Sequence, residues 1–196
     1  MDTLRIFFGL GIEHLTDLNG YDHLLFLAAM VAGYRLRDWR VVGWLVTAFT
    51  VGHSVSLALA TLGWVAVSSA WVEFLIPVTI VLTCVLNLAQ QGSQTVRSQR
   101  LAFGLVLLFG LIHGVGFSGF LRSILGRQAS IALPLLGFNV GLEVGQLAVV
   151  GCLLGLGWLL LDVLGASRRL WVMGLSVAAG ALAVALAVER WPGLLR

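Results

Sequence analysis

"VVGWLVTAFTVGHSVSLALATL", residues 41–62, runs for 22 residues without an acid or an arginine. As a helix it is about 33 Å long, the thickness of a bilayer's hydrocarbon core. Working outward, Trp71–Gln90 carries one charge (Glu73), Leu101–Leu121 none, Ile131–Leu161 one (Glu143) and Leu170–Val188 none. Tyr21–Tyr34 is shorter, apolar after Asp22 and His23, and ends at Arg35. That makes six spans. The run Ile131–Leu161 reaches about 46 Å, so it must tilt, kink or project, with Pro134 as a candidate break. The first 18 residues are too poor in apolar content to cross and read as an interfacial or re-entrant helix. The sequence therefore predicts an all-α, polytopic transmembrane helix bundle of six spans plus that N-terminal helix. Residues 1–196 form a single integral membrane domain.

Composition agrees. The chain is 59% hydrophobic and 11% charged, against about 25% charged in soluble domains. All 12 basic residues are arginines, and the net charge of +3 belongs to loops that flank a lipid bilayer. No basic cluster interleaved with aromatics supports a nucleic-acid partner. Cys84 and Cys152 lie in apolar runs and form neither a CxxC site nor a disulfide framework. Arg35, Arg37, Arg40, Arg97, Arg100, Arg168 and Arg169 fall at one face of the six-span scheme, which the positive-inside rule makes cytoplasmic. Arg122 and Arg127 fall at the other.

Ionisable side chains inside spans are costly and mark function by default. The set is Asp22, His23, His53, Glu73, His113 and Glu143, with His14 just ahead, and it includes all four histidines. By topology, all of them converge on the outer half of the bundle. "FNVGLEVGQ" aligns Asn139, Glu143 and Gln146 on one helix face. His53 is flanked by Thr50 and Ser54, and His113 by glycines that admit a neighbouring backbone. Each has an ordinary structural reading: a histidine bonded to the next helix, a snorkelling Glu73, a His113–Glu143 pair. Seven such groups in one half of the membrane favour a shared site. His14, Asp22, His23, His53, Glu73, His113 and Glu143 are candidate metal ligands, with Asn139, Gln146, Thr50 and Ser54 behind them. Nitrogen and oxygen donors without thiolates suit a divalent Ni, Co, Zn or Mn ion rather than Cu(I). His53 preceding Glu73, and His113 preceding Glu143, also hints at two tandem hairpins.

Four motifs, "HLTDLNGYDHLLFL", "TAFTVGHSVSLAL", "FGLIHGVGFSG" and "FNVGLEVGQ", occur in the order and spacing of the HupE/UreJ family of small bacterial membrane proteins, and the chain resembles that family over about residues 5–150. The resemblance implies a permease for nickel, cobalt or a similar divalent cation in the bacterial cytoplasmic membrane, with His14, Asp22 and His23 in its N-terminal motif. Seven residues separate His14 from Asp22 where the nickel permeases have five, and the later motif keeps only His113. The chain thus looks like the second branch of the family.

Other classes stay open on residue types alone. The same ligands would serve an intramembrane metal-dependent hydrolase with Glu73 or Glu143 as general base, although no HExxH is present. "GFSG" with Ser118 prompts a rhomboid-type serine hydrolase, but no histidine follows His113 to act as its base. A metal sensor that moves nothing, and a homo-oligomer, are also compatible.

Overall fold

The structure, a computed structural model, describes residues 3–17, 21–90, 96–125 and 130–191, with side chains of the fifth helix from residue 99 onward. The regular elements are helices throughout: α1 (Thr3–Thr16), α2 (Asp22–Val31), α3 (Trp39–Thr61), α4 (Ser69–Gln90), α5 (Val96–Leu125), α6 (Ala132–Trp158) and α7 (Arg168–Glu189). In hydrocarbon every backbone amide must be paired internally, and a helix does this within one segment. Among the described residues, five helices are long and apolar enough to cross a membrane: Leu36–Thr61, Ser69–Gln90, Gln99–Leu125, Ala132–Val163 and Arg168–Glu189. Their outward faces expose Trp44, Val51, Leu108, Leu136, Val140 and Val177, as a lipid-facing surface requires.

The expected span Tyr21–Tyr34 takes a different form. Only ten of its residues are helical, α2, which is about 15 Å, half of the hydrocarbon core. α7, with 22 residues, is about twice as long, and its two ends bracket the short helix. Arg190 Nη1 lies 2.8 Å from Asp22 Oδ2 at the top of α2. Arg168 Nη2 donates to the Gly33 carbonyl just below it, at 2.7 Å. Asn87 of α4 donates to the Ala29 carbonyl at 2.7 Å, satisfying an acceptor in the last turn that the helix itself leaves open. The long span expected at Ile131–Leu161 is one helix extended by a π-helical turn, Leu159–Val163. Pro134 does not break it, because in the first turn its missing N–H has no partner to lose.

Glycines set the closest helix pairings, α3 with α5 and α1 with α6. A Cβ on Gly110 would collide with the backbone of Phe49, and one on Gly52 with that of Leu107. One on Gly114 would collide with His53 and Ser56. From Phe49–Gly110 to His53–Gly114 both numbers rise, so α3 and α5 are parallel. Gly137 sits on Leu4, Gly141 on Phe8 and Gly145 on Leu15, so α1 runs parallel to α6. Both pairs use the small-residue packing of membrane helices. α1 and α2 thus descend in the same sense, toward the face that carries Arg35, Arg37, Arg40, Arg100, Arg168 and Arg169. Arg122 lies at the opposite face; Arg127, the Arg97 side chain and positions 18–20 of the first motif lie outside the described residues.

Candidate metal centre

His14 closes α1, His23 opens α2, and His53 stands on α3 beside the glycine seam. Their ring nitrogens lie within 4.8 Å of one another. His113, on α5, has its ring centroid 5.0 Å from that of His23. The seam explains why His53 and His113 can both be buried this deep: with Gly110 and Gly114 facing α3, the two backbones touch and both rings turn toward α1 and α2. His53 is 0% exposed and His113 1%.

These rings face one another with little else to bond. Among the described residues, His14 Nε2, His23 Nε2, His113 Nδ1 and both nitrogens of His53 are buried without a hydrogen-bond partner, as is Asp22 Oδ1. An unsatisfied buried polar group costs about 1–3 kcal/mol, and five imidazole nitrogens and a carboxylate oxygen left this way are a set of donors that could hold a metal ion. Nitrogens about 2.1 Å from one ion sit no more than ~4.2 Å apart. A triad spread over as much as 4.8 Å would need only a small inward movement to share one ion.

Aromatic walls keep the site apolar on two sides. Phe117 lies 4.0 Å from His14 and stacks at 4.7 Å on Phe138, and Phe138 in turn stacks on His53 at 6.1 Å. A cavity of about 900 Å³ opens from the site to the face where α3, α5 and α7 end; its lining includes His14, His23, His113, Glu13, Asp17, Asp22, Glu73 and Arg190. Four carboxylates against one guanidinium make this vestibule attractive to cations.

The remaining candidates divide. Asp22 borders His23 and is half engaged by Arg190. Glu73 is exposed at the cavity wall. Glu143 stands apart from the triad: it accepts a hydrogen bond from Thr47 at 2.7 Å. Gln146 likewise accepts from Thr50 at 2.9 Å, and Ser54 donates to the Thr50 carbonyl at 2.6 Å. The Thr47–Glu143 and Thr50–Gln146 bonds tie α3 to α6, the Ser54 bond stays within α3, and Asn139 stands beside His53. The hydroxyl of Ser118 donates to the Val115 carbonyl at 2.8 Å, an ordinary helix contact. Cys84 and Cys152 are free thiols. Sequence reasoning missed Arg190, Thr79 against His113 (3.4 Å), and the Phe117–Phe138 wall. An arginine at a span end reads as a lipid anchor, and phenylalanines in apolar runs carry no distinguishing pattern.

A multi-pass helical membrane protein with a buried histidine cluster under an acidic vestibule is the class this architecture defines. The HupE / UreJ protein profile matches residues 1–192, essentially the whole chain, and the protein belongs to that family. No curated protein and no solved structure gives a significant match.

Proposed function

We propose that this protein is a permease for a divalent transition metal, nickel or cobalt in the first instance, in the cytoplasmic membrane of a bacterium. The observation that carries the reading is the convergence of His14, His23 and His53 from three helices, with His14 and His23 lining an open acidic cavity and His53 fully buried. Carboxylates at Glu13, Asp17 and Glu73 concentrate the hydrated cation. Asp22 and the imidazoles then replace its water. A loose, three-nitrogen grip binds without trapping, which passage requires. The arginine-rich face is cytoplasmic by the positive-inside rule, so the vestibule faces outward.

The helix order supports a sixth crossing made of two pieces. α1 and α2 run in the same direction, and together they hold 24 helical residues, about 36 Å. The break between them falls between His14 and Asp22, and discontinuous helices of this kind are how many transporters build a site at membrane depth. The hydrolase reading has less support, since Glu143 is tied to Thr47 and Glu73 stands at the cavity wall outside the histidine group.

Elemental analysis of the purified protein tests the site. Wild type is expected to retain near-stoichiometric nickel, cobalt or zinc after equilibration and desalting, and a His23→Ala/His53→Ala variant to retain none. Equal metal in both would place the binding elsewhere.

A further inference from the structure

The histidines end the outer cavity but not the polar features of the bundle. α4 carries Thr79, Thr83, Asn87 and Gln90, spaced so that all lie on one helical face. Thr79 is buried and its hydroxyl meets His113 Nε2 at 3.4 Å. One turn on, Thr83 donates to the Thr79 carbonyl at 2.9 Å. Thr83, Asn87 and Gln90 then line a second cavity, about 60 Å³, toward the arginine-rich face, together with Met30, Tyr34 and Phe109. Such a volume holds a few water molecules.

A single layer of rings separates the two cavities. Phe26 stacks on Phe49 at 5.0 Å and meets Phe109 edge-on at 6.0 Å. From above, His113 touches the layer through Phe26 at 5.6 Å and Phe49 at 5.2 Å. Threonines bonded to their own helix, and an Asn87 that caps α2, account for three of the polar side chains as structural. They do not account for a water-sized cavity beneath the histidine site to which Tyr34, Thr83, Asn87 and Gln90 bring polar groups among apolar neighbours such as Leu45 and Val106.

We propose that this α4 face is the inner half of the cation's path, a second, oxygen-donor station from which the metal leaves. The inference rests on the permease reading. A divalent transition metal passes from imidazole nitrogens to the hydroxyl of Thr83 and the amide oxygens of Asn87 and Gln90 when the Phe26–Phe109 contact opens. The order of donors is downhill in grip: neutral oxygens hold such ions more weakly than imidazole, so the inner station releases what the outer one selects.

The test uses full-length protein, with Co²⁺ as the probe, measuring uptake into proteoliposomes and equilibrium binding in detergent on the same preparations. Thr83→Val/Asn87→Leu removes two donors; Thr83→Val/Gln90→Leu does so while leaving the Asn87–Ala29 bond intact. Both are expected to keep the tighter Co²⁺ binding of the histidine site and to lose about tenfold or more in uptake rate, while Phe109→Ala raises the rate severalfold. Wild-type uptake in both double variants, with uptake lost in His53→Ala, would overturn the inner station and leave the permease standing. Loss of binding in both double variants would also overturn it, because the stripe would then support the histidine site rather than follow it. No uptake by wild type would remove the permease reading and this inference with it.

Discussion

Asp22 and Arg190, 168 positions apart in the chain, meet at 2.8 Å where the short helix α2 begins and the last helix ends. One carboxylate oxygen is held by the guanidinium; the other, Oδ1, is buried and unpartnered next to His23. Arg190 thus positions the carboxylate and, in the proposed permease, would oppose the charge of an arriving cation.

Removing that opposing charge is expected to tighten cation binding. A unit charge and a divalent ion on the order of 8 Å apart at an effective dielectric near 20 interact by about 4 kcal/mol, and screening in an open cavity reduces this to roughly 1. Arg190→Gln should therefore lower the Co²⁺ dissociation constant about fivefold by equilibrium dialysis, and Asp22→Asn should raise it. An unchanged constant in Arg190→Gln would show that the guanidinium lies outside the ion's field.

Ligand substitutions are expected to separate the histidines from Glu143. His14→Ala, His23→Ala and His53→Ala each remove a nitrogen from the triad and should weaken Ni²⁺ binding by about tenfold or more. Glu143→Gln, which keeps an acceptor for Thr47, should leave binding within about twofold and cost about 0.6 kcal/mol of stability. Isothermal titration with all four variants checks this; a Glu143→Gln effect as large as that of His53→Ala would bring the carboxylate into the coordination shell.

Close approach of α3 and α5 is expected to tolerate no side chain at the seam. Gly110→Val drives methyl groups into the Phe49 and His53 backbones and should cost about 1–3 kcal/mol or more, with metal binding lost as well. Gly104→Ala lies on the same helix with open space around it and should change neither. Thermal unfolding in detergent, followed by tryptophan fluorescence, distinguishes them.

Loss of the α7 brackets is expected to act on stability before it acts on binding. Arg168→Ala leaves the Gly33 carbonyl below α2 without this donor, at about 1–3 kcal/mol. Ni²⁺ affinity should hold within about threefold, because the histidines lie at the opposite end of α2. A tenfold loss of affinity without a fall in melting temperature would contradict this division.

Much of this was legible in the sequence because lipid imposes simple rules. Uninterrupted apolar runs marked the five long helices, arginines marked one face, and the expense of an intramembrane imidazole marked all four histidines. The length of α2 was not legible. Tyr21–Tyr34 is apolar to its end, and what stops the helix at Val31 is tertiary: Arg168 and Asn87 reach in to satisfy the carbonyls of Gly33 and Ala29. Glu143 looked like a ligand because its helix face carries Asn139 and Gln146. Its partner Thr47 is 96 positions away, and nothing local reveals that pairing. The α1–α6 contact escaped notice for a related reason, since Gly11, Gly137, Gly141 and Gly145 look like ordinary glycines of a membrane helix until the two chains are laid side by side.

Uptake into proteoliposomes tests most directly whether a divalent transition metal crosses the bundle through the histidine triad. Vesicles loaded with a metal-quenched dye, containing wild-type protein or the His23→Ala/His53→Ala variant, would be exposed to Ni²⁺, Co²⁺ or Mg²⁺. Saturable quenching by Ni²⁺ or Co²⁺ is expected with wild type, none above protein-free vesicles with the variant, and none with Mg²⁺, which prefers oxygen ligands and sheds water reluctantly. Equal quenching with wild type and variant, or none with wild-type protein that binds Ni²⁺ in detergent, would contradict that crossing.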